Sequence, residues 1–215
     1  MTEHEQGTEA WKLAKCGWVG ASRVADIIAK TRTKGEPSAS RATYMGQLIA
    51  ERLTGIPMDS FKSEAMQFGT DTEAEARAAY QFEAGVLVAK TGFVPHPTIH
   101  MAGASPDGLI GEDGLLECKC PNTSTHVDAL LGKSIPGRYV TQMQWQMAST
   151  GRKWCDYVSF DPRMPEQMRL HIQRVQRDSS MIAELEAAVR EFLAELDKKL
   201  AALTALYGPT VREAA

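Results

Sequence analysis

The sequence predicts an α/β (α+β) fold, a central mixed β-sheet flanked by helices. Three observations carry this. Apolar residues recur at helical spacing through the first part of the chain, as in Val24, Ile27 and Ile28 and in Tyr44, Leu48 and Ile49. After Gly85 the pattern changes to short runs of period two, such as "VLVAKTG" and "LLECKC". The chain then closes on a long amphipathic stretch, with Ile182, Leu185, Val189, Phe192, Leu196, Leu200 and Leu203 stepping by three or four. Helices, then a sheet with interleaved helices, then a helix, is the order of an α/β or α+β domain around one sheet. The 215 residues, 43 % hydrophobic and 24 % charged, suit a single domain spanning 1–215 that buries a core without disulfide or metal staples.

The elements follow in order. Residues 1–9 are polar and read as loose. Ser22 has the chemistry of an N-cap before "RVADIIAK". "TRTKGEPSAS", 31–40, is a basic loop rich in turn residues. "ATYMGQLIAERLTG" is an amphipathic helix stopped by Gly55, and a third helix is predicted over 63–84. The strands expected next are "VLVAKTG", "TIHMAGASPDGLIG" and "LLECKC". Helices over 124–132 and 138–150, strands "WCDYVSFDP" and "RLHIQRVQRD", and a tail helix over 179–206 complete the chain.

Bulk chemistry excludes several classes. The net charge of -3 argues against nucleic-acid binding by the whole surface, but not against a local basic groove. No apolar run approaches the roughly 18 residues that span a membrane, and the N-terminus has no apolar signal core. Cys16, Cys118, Cys120 and Cys155 have no scaffold spacing, so a reducing cytoplasm is expected. There is no P-loop, dinucleotide fingerprint or GxSxG elbow. Cys118, Cys120 and His126 lack a fourth zinc ligand at a familiar spacing, and the two cysteines read as small buried hydrophobes.

The chemistry concentrates in "SPDGLIGEDGLLECKCP", 105–121. Strand alternation puts Glu117 and Lys119 on one face and Leu116, Cys118 and Cys120 on the other. "GEDG" is a tight turn, so "GASPDGLI" becomes the antiparallel partner and brings Asp107 back toward Glu117. Two converging carboxylates repel unless a cation lies between them. A hard ion such as Mg²⁺ suits such an oxygen site, with water and a substrate phosphate completing it. Lys119 would neutralise developing charge beside it. The plain alternative is a surface turn with a Glu–Lys ion pair, contributing at most about 1 kcal/mol.

Further motifs occur in order over about residues 11–165: Trp11, Gly17, Ala21 and Ser22, then "FGTDTEAEAR", "SPDGLI", "LECKCPNTS", "YVTQMQWQM" and "FDPRMP". Together they resemble the lambda-exonuclease/YqaJ family of phage recombination nucleases, in the PD-(D/E)xK superfamily. The resemblance implies a restriction-endonuclease-like core and Mg²⁺, two ions with Mn²⁺ as substitute. It implies metal binding by Asp107, Glu117 and the backbone carbonyl of Cys118, with Lys119 as the catalytic lysine. It adds Glu73 as a further acid, although Thr70-x-x-Glu73 also reads as a helix capping box. It places Gln142 and Tyr139 near the active site. It assigns Ser22, Ser105 and Lys15 to a 5′-phosphate pocket, Lys15 standing where the family has arginine. Arg32 would contact duplex DNA, flanked by Lys30 and Lys34 as phosphate contacts, and Met66 would wedge the terminal base pairs.

The function implied is a Mg²⁺-dependent 5′→3′ exonuclease on linear double-stranded DNA. It would release mononucleotides and leave a 3′ single strand for a single-strand annealing protein, from a homotrimeric ring in the cytoplasm of a bacterial host. Two alternatives stand beside it. One is a non-catalytic DNA-end clamp or docking module for the annealing protein. The other is an endonuclease of the same superfamily.

Overall fold

A computed structural model describes residues 4, 6–31, 35–58 and 64–208, without the side chains of Ala65 and Met66. Arg32, Lys34 and the Met66 side chain lie outside the described residues.

The chain opens with α1 (Glu9–Ala14), β1 (Val19–Gly20), a 3-10 turn (Ala21–Arg23) and α2 (Val24–Ile28). Ser22 is not an N-cap. It lies inside the 3-10 turn, and Arg23 holds the cap position of α2 without a side-chain hydrogen bond. The capping serine is instead Ser38, whose hydroxyl accepts the Arg41 N–H at the start of α3 (Ala39–Thr54). Gly55 ends α3 at φ +66°, a left-handed position that glycine takes without Cβ strain.

Helix α4 (Glu64–Ala84) starts earlier than the capping box requires. Thr70 and Glu73 are interior, where backbone N–H groups already have carbonyl partners one turn back. The capping role of Glu73 therefore falls. Glu73 instead accepts from Arg77 at 2.6 Å, one turn on.

The remaining elements are β2 (Val88–Ala89), β3 (Val94–Pro95), β4 (Ala102–Ala104), β5 (Gly108–Ile110), β6 (Gly114–Lys119), α5 (Thr123–Leu130), α6 (Gly137–Thr150), β7 (Trp154–Phe160), β8 (Leu170–Gln176) and α7 (Ser179–Tyr207). The strands form two sheets, ordered β1-β4-β3 and β2-β5-β6-β7-β8, where the sequence pattern predicts one. The split falls in "TIHMAGASPDGLIG", between β4 and β5. Pro106 has no N–H for a ladder and restricts Ser105 before it, so the strand breaks there. The larger sheet is mixed: β6 and β7 run parallel, and the outer pairings are antiparallel.

Strand β6 is covered on both faces. Leu116 and Cys118 pack with Ala76 and Tyr80 of α4, and Leu115 packs with Met143 and Met147 of α6. The alternation thus sends Glu117 toward α6. Helix α7 lays Leu185, Val189, Phe192 and Leu196 against Val24, Ile27, Tyr44 and Leu48, burying the predicted apolar stripe. No described helix is long and apolar enough to cross a membrane.

Candidate active site

The β5–β6 hairpin sets the first relationship. Its register pairs Gly108 with Leu116, and Asp107, one residue before β5, accepts the Cys118 N–H on Oδ2 at 2.7 Å. Gly108 serves the other edge of β5: a Cβ there would lie 2.1 Å from Val88 Cγ1 of β2, while Leu116 Cβ of β6 would be 3.6 Å away. Arg152 braces the far end of the hairpin, donating from one nitrogen to the carbonyls of Ile110, Gly111 and Gly114 at 3.2, 2.9 and 2.7 Å.

Glu117 is the centre of the site and is 0 % exposed. Its Oε1 accepts from Gln142 Nε2 at 2.6 Å and pairs with the Lys119 ammonium. Its Oε2 accepts from Gln146 Nε2 at 2.6 Å. Gln142 and Gln146 lie one turn apart on α6, while Met143, Trp145 and Met147 beside them are fully buried. The Lys119 ammonium also lies 4.9 Å from the Tyr139 ring centroid, and Tyr139 stacks on Tyr157 at 6.0 Å.

The electrostatics are strained without a counter-ion. Burial holds the Asp107 carboxyl well above the usual range, and the Glu117 and Glu73 carboxylates add to the rise; Lys119 opposes it. Burial alone would lower the Lys119 ammonium, but Glu117 and Asp107 outweigh that and hold it above its ordinary value. Lys119 is therefore a fixed positive charge at neutral pH. The Cys120 thiol is pushed up to about 12 by burial and by Glu73 and Asp107. These couplings put Glu73 of α4 within electrostatic reach of Asp107.

The donors suit a hard cation. Among the described residues no three His, Cys, Asp or Glu side chains form a metal-holding group. Mg²⁺ does not need such a cage, because it binds through one or two carboxylates, water and substrate phosphate. Asp107 and Glu117 offer that oxygen set, and a cation would relieve the repulsion that raises Asp107. A zinc site at Cys118, Cys120 and His126 is excluded by geometry. His126 uses Nδ1 with Ser159 and Nε2 with the Met168 carbonyl, both at 2.8 Å. Cys118 and Cys120 pack in the core.

Of the residues expected at a phosphate pocket, Ser105 lies two positions before Asp107 and is tied to Lys15 through Trp11. Trp11 donates from Nε1 to Ser105 Oγ at 3.2 Å, and the Lys15 ammonium lies 3.5 Å above the Trp11 ring. Burial, aided by Lys12 and opposed by Glu51, lowers Lys15 to about 8. Ser22 is exposed and makes no hydrogen bond to either residue. It does leave the same end of the same sheet: β1 and β4 run parallel with Gly20 opposite Gly103, so Ser22 and Ser105 follow paired positions.

Gln146 is the site residue that its spacing shows only weakly. Its place one turn after Gln142 is plain in the sequence, but that pattern also fits an ordinary half-buried helix. Only the Glu117 contact separates the two.

Solved structures share this architecture. The alkaline exonuclease LHK-Exo of Laribacter hongkongensis is 47 % identical, with a TM-score of 0.85 over 92 % of this chain and 97 % of that one. The same protein in complex with dAMP matches equally. A phage-related exonuclease of Haemophilus somnus, 17 % identical over 86 % of this chain and 96 % of its own, shares the fold at a TM-score of 0.69. No curated protein matches the chain at significant similarity. The fold and site define the class as nuclease-fold enzymes of the alkaline exonuclease kind. Within that class the chain belongs to the family of the YqaJ-like viral recombinase domain, whose model matches residues 10–153.

Proposed function

We propose that this protein is a deoxyribonuclease that degrades one strand of linear double-stranded DNA from its 5′ end. It releases mononucleotides and leaves a 3′ single strand for recombination. The observation that carries the proposal is the arrangement around Glu117. A fully buried carboxylate is held by Lys119 and two glutamines, next to a second carboxylate, Asp107, that resists ionisation. Such a site costs stability, which argues for chemistry rather than packing.

Asp107, Glu117 and the Cys118 carbonyl are the groups that would hold Mg²⁺, or Mn²⁺ in its place, with Glu73 serving a second ion. When bound, the ions supply charge stabilisation to the attacking and leaving oxygens of the displacement. The chain's own residues do the rest. Lys119, held protonated, steadies negative charge gathering on the phosphoryl oxygens. Tyr139 and Gln142 keep Lys119 and Glu117 oriented. Ser105 and Lys15 receive the terminal 5′-phosphate, with Ser22 at the same sheet end; Arg32 and Met66 are the proposed duplex contacts. The neighbour's complex with dAMP supports a deoxynucleoside monophosphate as product. The reading extends to a single domain, a homotrimer ring around DNA, an annealing-protein partner and the cytoplasm of a bacterial host.

The test is digestion of linear duplex carrying distinguishable 5′ and 3′ labels, with and without Mg²⁺, by wild type and Lys119→Ala. First release of the 5′ label, only with Mg²⁺ and not by the variant, is expected. Release of the 3′ label first overturns the polarity, and cutting of covalently closed plasmid favours an endonuclease. Undiminished release by Lys119→Ala overturns the mechanism.

A further inference from the structure

Gln146 is a costly residue for its position. Its neighbours Met143, Trp145 and Met147 are apolar and fully buried, and Gln146 itself is 0 % exposed. Its Nε2 donates to Glu117 Oε2 at 2.6 Å, while its Oε1 is buried and has no hydrogen-bond partner among the described residues. A glutamine kept for packing would be better replaced by methionine, which fills the same volume without an orphaned oxygen. The Glu117 contact is what the amide provides.

The two oxygens of Glu117 differ in accessibility. Oε1 meets Gln142, which is half-buried, and Lys119, whose side chain is 24 % exposed. Among the described residues, Oε2 accepts a hydrogen bond only from the buried amide of Gln146. An ion arriving with its waters approaches from the open side, the side of Oε1. Gln142 and Lys119 can yield Oε1 and turn to water or phosphate. Gln146 has no such alternative for its N–H.

We infer that Gln146 pins Oε2 of Glu117 and so biases this carboxylate toward one-oxygen contact with a cation, making Gln146 a positioning residue that favours Mg²⁺ over Ca²⁺. This rests on the metal-dependent reading of the site. The physical basis is general. Ca²⁺ takes six to eight oxygens and accepts bidentate carboxylates, whereas Mg²⁺ demands near-octahedral single-oxygen contacts and keeps several waters. A carboxylate oxygen tied to a buried amide keeps one lone pair, but it is a weaker and less freely directed second donor, so chelation with both oxygens is disfavoured. Outer partners of metal ligands commonly change affinity by about 10–100-fold when removed.

The test is calorimetric titration of the DNA-free protein with Mg²⁺ and, separately, Ca²⁺, for wild type and Gln146→Met. Thermal unfolding verifies that each variant is folded. The expected result is Mg²⁺ affinity lower by about 10-fold or more in the variant, with Ca²⁺ affinity falling less or rising. The ratio of the two dissociation constants therefore moves toward Ca²⁺. If Gln146→Met does not fold, Gln146→Asn withdraws the donor by one methylene while keeping an amide, and the same ratio is read. An unchanged ratio, whether both affinities hold or fall together, overturns the pin and leaves the metal reading intact. Absence of Mg²⁺ binding to wild type, both free and with 5′-phosphorylated duplex, overturns the metal reading itself.

Discussion

Asp107 accepts the backbone N–H of Cys118 at 2.7 Å, so a carboxylate just before one strand of the hairpin is aimed by the main chain of the other. The bond joins the two parts of the motif across the β5–β6 turn. It fixes the Asp107 carboxylate next to Glu117, where the two repel. The hairpin thus holds an arrangement that neither residue favours alone, and substitutions in it and around it have distinct expected outcomes.

Replacing Asp107 by asparagine removes the charge and keeps the shape. In metal-free buffer at neutral pH the variant should be as stable as wild type or more so, because the cost of burying a charge at this position, and then its repulsion by Glu117, are gone. Its Mg²⁺-dependent nuclease activity should fall by about 100-fold or more. Thermal unfolding and end-labelled duplex digestion measure the two. A variant that is much less stable in metal-free buffer would show that Asp107 serves the fold.

Glu73 separates a capping role from a site role. It lies inside α4, so Glu73→Gln loses only an i,i+4 pair with Arg77, about 0.5 kcal/mol at most. Activity should nevertheless fall about 10-fold or more, chiefly through weaker binding of Mg²⁺. Full activity with the same small stability loss would remove Glu73 from the site.

Gly108 tests the packing of β2 against β5. A Cβ 2.1 Å from Val88 Cγ1 forces the strands apart, so Gly108→Ala should cost about 1–3 kcal/mol and lower activity. Adding Val88→Ala removes the opposing methyl and should restore a good part of the loss. Additive effects in the double variant, measured by denaturant unfolding, would refute the steric account.

Lys15 gives the pH dependence. Its folded value of about 8 lies below the ordinary 10.5, so the free protein loses this charge as pH rises through 8. Between those values the unfolded chain binds the proton and the fold does not, so this residue's contribution to stability rises with pH across the window. Function runs the opposite way. The preference for 5′-phosphorylated over 5′-hydroxyl duplex ends, read as a ratio of kcat/KM, should shrink above about pH 8. Lys15→Arg should hold the preference to higher pH, because a guanidinium stays charged. A wild-type ratio that is flat from pH 7 to about 10 would exclude Lys15 from the phosphate pocket.

Much of the hairpin and of the tail helix is legible in the amino-acid pattern. The alternation of "LLECKC" places Glu117 opposite Leu116 and Cys118, since a strand's period of two leaves no other choice. The tail stripe from Ile182 to Leu196 is buried as its spacing requires. Helix caps are less legible. Ser22 and Ser38 have the same capping chemistry, and only the local backbone chooses Ser38. The start of α4 is legible, predicted at 63 and found at Glu64, and it makes Thr70 and Glu73 interior in spite of their capping-box spacing.

The sequence by itself determined the hairpin, the faces of its residues and the meeting of Asp107, Glu117 and Lys119 on it, because each follows from chemistry within a few neighbouring positions. Only the tertiary structure decided that "TIHMAGASPDGLIG" divides between two sheets, that Trp11 meets Ser105 and Lys15, and that Gln146 meets Glu117. Two of those contacts join residues far apart in the chain, 29 positions for Gln146 and Glu117 and 94 for Trp11 and Ser105. No local period encodes such a separation. It is fixed by how α6 and the N-terminal segment pack, and packing is settled by the whole core at once.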